Sequence, residues 1–270
     1  MNKPDGVSDT LFVPLEGRLY ATERYPELLK DKELLRLNKQ FPDLLKKQSN
    51  QTEYTLLASA CRAVNLDNVT RRFLAEHPKG TVVNIGAGME TAFSRVDNGK
   101  VRWYDLDLPS VIEKRRQYIC ETERNRFIPL SVFDSSWMRR IDQMNPSAVL
   151  IIAAGLFYYF KEETVVGLID DMKRQIRNVE IVFDAVCAKG LKRSNRFVKR
   201  TGNRNALMHF YVDKPEDFFK KINGGAHSIE AYPFYRDVLK MISRKCSFKT
   251  RLIMSISDHL KMVWVIHAKL

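Results

Sequence analysis

The stretch Thr81–Pro109, TVVNIGAGMETAFSRVDNGKVRWYDLDLP, decides the fold. It opens with a β-branched run that ends in Gly86-Ala87-Gly88. Glycines at a strand end let the backbone turn tightly and approach a ligand with no Cβ in the way. A helix after such a turn points free N–H groups at the same place. The next run, Lys100–Asp107, alternates and ends in Asp105 and Asp107, about twenty residues after the glycines. Two residues apart on a strand, these carboxylates share a face. Asp107, at the carboxyl end, is the one placed to accept hydrogen bonds from the hydroxyls of an adenosine ribose. Taken singly, the glycine triplet reads as a turn and Asp107 as a cap for the segment after Pro109.

Working outward, the same rhythm continues. Arg126–Asp134 reads as a third strand whose last residue, Asp134, is placed to meet an adenine amino group, or else to cap the turn that follows. Ser147–Gly155 is continuously apolar, as a central parallel strand covered on both faces is. Val179–Val186 supplies a fifth strand after a helix-like Lys161–Ile176. Strands alternating with helices imply a doubly wound α/β sheet with right-handed crossovers. Lys249–Ser257 and Lys261–Lys269 read as two further strands, closing one edge as an antiparallel hairpin. The predicted fold is therefore a Rossmann-like, seven-stranded, mostly parallel sheet. Upstream, Pro26–Lys47 and Leu56–Pro78 carry helical periodicity. Clefts in such sheets lie outside the carboxyl ends of the strands, so Gly86, Gly88, Asp107 and Asp134 converge on one rim. The third glycine of a dinucleotide fingerprint is replaced by Thr91. That tilts the reading toward S-adenosylmethionine.

Composition bounds the rest. The chain has 270 residues, 44% hydrophobic and 29% charged, an ordinary balance for one globular domain. The longest apolar run, Ala148–Phe160, is too short to span a bilayer, and residues 1–10 lack the apolar core of a secretory signal. No membrane partner is expected on that ground. Cys61, Cys120, Cys187 and Cys246 are scattered, which argues against a zinc site and for a reducing, cytoplasmic setting. A net charge of +13 attracts anions of any kind, or simply solvates the surface.

Long motifs in this chain resemble the leucine carboxyl methyltransferase family, in particular its bacterial branch associated with polyketide O-methylation. They are Thr81–Arg116, Thr10–Ala21 (TLFVPLEGRLYA), Cys61–Pro78, SVFDSSWM at Ser131–Met138 and IIAAGLFYYF at Ile151–Phe160. The resemblance implies a class I fold and in-line transfer of a methyl group from S-adenosylmethionine, with S-adenosylhomocysteine as product. It also implies roles for residues. Arg62 matches an arginine that holds the methionyl carboxylate, and Arg18 a basic position from an N-terminal helix that closes over the cofactor. Gly86, with Ala87 and Gly88, matches the glycine loop, Asp107 the ribose carboxylate and Asp134 the adenine contact. Without the resemblance, Arg18 and Arg62 read as surface salt-bridge partners. Two departures stand out. The family loop reads G-x-D-T-R where this chain has Glu90 and Ala92, and Ala154-Gly155 stands where Glu-Gly is common.

The chain divides into a helical cap (1–79), a cofactor core (80–186), an acceptor lid (187–235) and a closing helix and hairpin (236–270), all one methyltransferase domain. The expected partner is a small-molecule acceptor. Lys189, Lys192, Arg193, Arg196, Lys199, Arg200 and Arg204 suggest an acidic one, although they surround a helix too completely to form one face and a solvated helix accounts for them better. A carboxylate acceptor needs no base, whereas a phenol or alcohol does, with His209 and His227 as candidates. Two other classes remain open: a cofactor-binding relative without catalysis, and a nucleic-acid methyltransferase. The second is disfavoured by the lack of an N-P-P-Y-like tetrad after the fourth strand. A nicotinamide-dependent reductase is disfavoured by the missing glycine.

Overall fold

The structure, a computed structural model, describes residues 13–42, 51–200, 207–242 and 244–270, with the side chains of residues 13 and 197–200 outside the description. Five strands run parallel: β1 (Thr81–Ile85), β2 (Arg102–Asp107), β3 (Asn125–Pro129), β4 (Val149–Ala153) and β5 (Val179–Val186). Two more, β6 (Ser228–Pro233) and β7 (Val263–Lys269), complete a seven-stranded sheet in the order β3-β2-β1-β4-β5-β7-β6. β7 is antiparallel to both β5 and β6. The predicted seven-stranded, mostly parallel α/β sheet is the one observed.

Every residue of β4 and β5 is buried, because helices cover both faces. Alternation divides them: Val149, Ile151 and Ala153 join one apolar cluster, Leu150 and Ile152 the other. Each buried aliphatic side chain contributes roughly 1.5–3 kcal/mol relative to exposure. Against one face lie α1 (Val13–Arg24) and α3 (Glu53–Glu76), joined at the sheet edge by α10 (Arg236–Ile242) and α11 (Phe248–His259). The other face carries α6 (Ser136–Gln143), α7 (Glu162–Gln175) and α9 (Pro215–Phe219). The remaining helices are α2 (Lys32–Gln40), α4 (Ala92–Val96), α5 (Pro109–Arg116) and α8 (Ala188–Arg200).

The structure corrects the predicted chain ending. Lys249–Ser257 is helical, within α11, and the second antiparallel strand, β6, comes from the region assigned to the lid. Ser247 starts α11 by accepting from the Thr250 N–H at 3.3 Å, and Thr250, Met254 and Ser257 are buried at helical spacing. Leu252, Met254 and Ile256 satisfy a two-residue period as well, hence the strand reading. β6 is a half-exposed edge strand ending at Pro233, with too weak a pattern to read in advance. A second correction concerns β3, which ends at Pro129 and leaves Asp134 in the following loop.

Candidate functional site

A cavity of about 650 Å³ opens at the carboxyl ends of β1, β2 and β4. The turn after β1 forms its floor. Gly86 and Gly88 both have positive φ, 64° and 48°. A Cβ on Gly86 would stand 2.7 Å from Leu156 Cδ1, which a turn of that side chain relieves, so it is the positive φ that calls for glycine there. The loop is tied down by Arg115, buried in α5, which donates to the Gly88 carbonyl at 2.9 Å and to Asp105 at 2.6 Å.

The two strand-end carboxylates have separate fates. Asp105 is buried and receives Arg115, the Asn84 amide (2.9 Å) and the Trp103 indole N–H (2.9 Å), which makes it part of the framework. Asp107 lines the cavity and accepts the N–H of Gly88 at 2.8 Å and of Leu108 at 2.7 Å. Burial raises the Asp107 carboxyl above the usual range, against the pull of those two N–H groups.

Arg18, from α1, is 2% exposed and is no surface cation. It pairs with Glu90 and lies 3.7 Å from Asp31. Arg95, one turn beyond Ala92 on α4, completes the cluster. It contacts Asp67 at 2.7 Å, Asp31 at 2.8 Å and Glu90 at 2.9 Å. Burial disfavours the Glu90 charge, yet Arg18 and Arg95 outweigh it and hold the carboxyl down at about 2. Thus Arg95 places a guanidinium beside the loop although Ala92 does not.

Arg62, from α3, lines the opposite wall. Its Nε donates to Asp184 on β5 at 2.9 Å, and Asp184 also accepts the Gly155 N–H and the Tyr158 hydroxyl, both at 2.7 Å. Burial works against the Arg62 charge; Asp184 overcomes it and holds the guanidinium pKa above its ordinary value. A Cβ on Gly155 (φ 65°) would meet that guanidinium at 3.2 Å. Leu156, Tyr159, Phe160, Phe133 and Met208 form the outer wall, with Phe133 and Phe160 in edge-to-face contact at 5.0 Å between centroids.

Of the predicted site residues, the cavity gathers Arg18, Arg62, Gly86, Ala87, Gly88, Asp107 and Ala154. It does not gather Asp134, which is exposed and accepts the Ser136 N–H at 2.9 Å; its neighbours Ser131, Val132 and Phe133 form the wall instead. Hydrogen bonding to Ser136 holds the Asp134 carboxyl below its usual range, as a turn-capping carboxylate is. His209 and His227 are exposed and absent from the lining, and His227 sits at the far end of β7, bonded to the Lys269 carbonyl. Lys189, Lys192, Arg193 and Arg196 are also exposed and outside the lining. Arg204 and the side chains of Lys199 and Arg200 lie outside the described residues.

Several wall and support residues were missed. Asp184 carried a signal, an acid at the carboxyl end of the otherwise apolar run Ile181–Val186. Tyr158, Tyr159 and Phe160 stood within a family-like motif with no role attached. Arg95, Asp67 and Asp31 had no local signal.

Comparison with known proteins agrees with this geometry. The tetracenomycin polyketide synthesis O-methyltransferase TcmP of Streptomyces glaucescens is 28% identical over 226 residues, covering 81% of this chain and 80% of that protein. A DUF574 family protein from Streptomyces avermitilis superposes with a TM-score of 0.57 at 12% identity, over 94% of this chain and 96% of that one. A methyltransferase-like structure from Thermobifida fusca, described as putative, gives 0.56 at 14%, over 94% and 93%. These two structures share the fold. Residues 14–173 match the leucine carboxyl methyltransferase family, more than half of the sequence. The chain belongs to the leucine carboxyl methyltransferase family and is an S-adenosylmethionine-dependent methyltransferase.

Proposed function

We propose that the chain methylates an oxygen of a small, largely apolar acceptor, a polyketide-like phenol that binds as its phenolate, its proton already given up to solvent, suiting the site better than a carboxylate. The observation that carries this is a cavity polar at the glycine loop and aromatic at Phe133, Tyr159 and Phe160. Its residues fit the cofactor. Gly86 and Gly88 turn the backbone into the cavity at positive φ, Asp107 offers a carboxylate at the strand end, and the buried Arg18 Nε has no hydrogen-bond acceptor among the described residues. In this reading Asp107 accepts from the ribose hydroxyls, Arg62 and Arg18 hold the carboxylate end, and Ala154 borders the methionyl portion. When bound, S-adenosylmethionine supplies an electrophilic methyl carbon. The chain supplies position and exclusion of water.

Tyr159 is raised by burial, with Arg62 pulling the other way, and so stays protonated at neutral pH. It orients an acceptor oxygen by donating to it and does not remove the proton. The exposed lysines and arginines of α8 stand off the lining, which weakens the case for an acidic acceptor. As for setting, the four cysteines are unpaired, in keeping with a cytoplasmic enzyme. Among the described residues, no helix is long and apolar enough to cross a membrane. We treat residues 1–270 as one domain, with residues 187–226 as the acceptor lid and β6 part of the sheet.

Calorimetric titration with S-adenosylmethionine and S-adenosylhomocysteine tests the reading, with Asp107→Ala alongside. Micromolar binding lost in the variant is expected. Binding of neither ligand to the parent chain would overturn it. Turnover with hydroxylated aromatics, against aliphatic carboxylates of equal size, then tests the acceptor class.

A further inference from the structure

α11 carries apolar side chains on two faces. Met254 is fully buried beside Thr250 and Ser257, while Phe248, Leu252, Ile256 and the adjacent Leu260 are 68%, 46%, 44% and 56% exposed. At four-residue spacing these four form one stripe along the helix. Met241 on α10, which packs against α11, adds to the exposed apolar surface. A helix that leaves four large apolar side chains in water, and buries two hydroxyls on its inner face, has a second surroundings to satisfy.

The flanks say which. Arg244, Lys249, Arg251 and Lys261 border the stripe in sequence and are exposed; Lys245, also exposed, pairs with Glu27 at 2.7 Å. Asp258 is the one acid in residues 244–261, and it faces inward to accept the Tyr235 N–H at 2.9 Å. Arg251 lies over the Phe248 ring, 5.4 Å from its centroid, with its stem along the apolar surface. A second copy of this chain would set like charges against each other. Four side chains on one convex helix also fall short of the roughly 800 Å² per partner of a standard protein interface. Apolar side chains rimmed by long cations are what a helix lying flat in an anionic lipid surface presents.

Location strengthens the case. Glu53 at the start of α3 accepts the Ser247 N–H at 3.0 Å, so α11 begins near the mouth of the fold. It leads into Val263, which pairs with Val186 at the carboxyl end of β5. Both ends of α11 therefore lie at the carboxyl end of the sheet, the end at which the cavity opens, with no residue of α11 in the cavity lining. We propose that α11 is a peripheral docking helix that seats this rim on anionic lipid, where an apolar acceptor partitions. The expectation of no membrane partner rested on the length of apolar runs, which excludes a span and leaves a flat-lying helix open.

The test is sedimentation of the full chain with vesicles of phosphatidylcholine alone and of phosphatidylcholine with phosphatidylserine. The comparison variant is Leu252→Ser combined with Ile256→Ser, both exposed and outside the cavity. Expected is binding to the anionic vesicles alone, weakened at least tenfold by the double variant and also by high salt, with cofactor affinity and thermal midpoint unchanged. Three results overturn the proposal. The parent chain could remain in the supernatant with both vesicle types, pointing to a protein partner. Anionic binding could be unchanged in the double variant, pointing to charge elsewhere on the surface. Light scattering could show a dimer that the double variant dissociates, making the occupant a second copy.

Discussion

The glycine loop and the α11 rim lie at the same end of the sheet and solve burial in opposite ways. Around the loop, Glu90, Asp67 and Asp31 are met by Arg18 and Arg95 in a network closed by Thr91, whose hydroxyl donates to Asp31 at 2.6 Å. At the rim, Asp258 has one backbone donor, its second oxygen is buried without a hydrogen bond among the described residues, and the apolar side chains face outward. The first region pairs its charges within the chain, with the Arg18 Nε left without an acceptor among the described residues, and is preorganised for a ligand. The second is complete only against something else. A site that must hold one small molecule benefits from rigidity, whereas a docking surface has to wait for its partner.

The largest effect that would break this contrast is loss of Arg95. Removing it leaves three buried acids with too few cations, a change that typically costs about 3–5 kcal/mol. Arg95→Ala should lose about that much in urea denaturation, and Arg95→Lys less, because Lys keeps the charge although its ammonium cannot reach all three carboxylates. A loss below 1 kcal/mol would show that the network is ornamental.

Acid should dismantle the same region. Glu90 is held at about 2, below the ordinary 4.5, so its contribution is fully present above the unfolded value and is lost as pH falls from about 4.5 toward 2. The shift corresponds to about 3 kcal/mol. Glu90→Gln should flatten the fall in thermal midpoint across that window.

On the opposite wall, Arg62→Ala should weaken S-adenosylmethionine binding by about 10–100-fold, as loss of a charged hydrogen-bond donor does, and leave Asp184 uncompensated. Arg62→Lys restoring part of that affinity would separate a charge contact from simple packing loss. Affinity unchanged in Arg62→Ala would remove it from the site.

What was legible in the sequence follows the range of each interaction. The glycine turn and the strand-end carboxylate are local, set by backbone conformation within Ile85–Asp107, and they could be read there. Arg95 could not, because its partners Asp31 and Asp67 come from α2 and α3, and only the packed fold sets their distances. Asp134 was misplaced because Pro129 ends the ladder early and sends the chain into a loop. α11 was misread because apolar residues on two of its faces blur the helical period; its identity rests on the Ser247 cap and on Thr250, Met254 and Ser257 buried at helical spacing. The acceptor wall, Phe133 with Tyr159 and Phe160, is assembled from two loops and carried no recognisable spacing.

The smallest expected effect lies at the rim. Burial raises the Asp258 carboxyl to about 6, above its ordinary 3.8, with the Tyr235 N–H and Arg236 pulling it down only in part. A raised acid binds its proton more tightly in the folded state, so folding loses free energy as pH climbs through that interval, and the full penalty is present at pH 7. Asn in its place keeps an acceptor for the Tyr235 N–H and adds a donor without charge. Asp258→Asn should therefore stabilise the chain at pH 7 by about 1 kcal/mol, after discounting for partial exposure, and by nothing at pH 4. Equal stability of both chains at both values would mean that the carboxylate is solvated in solution and that the rim is not short of partners. A gain confined to neutral pH would instead place an uncompensated charge directly behind the stripe of α11, on the same helix that shows its apolar face to water.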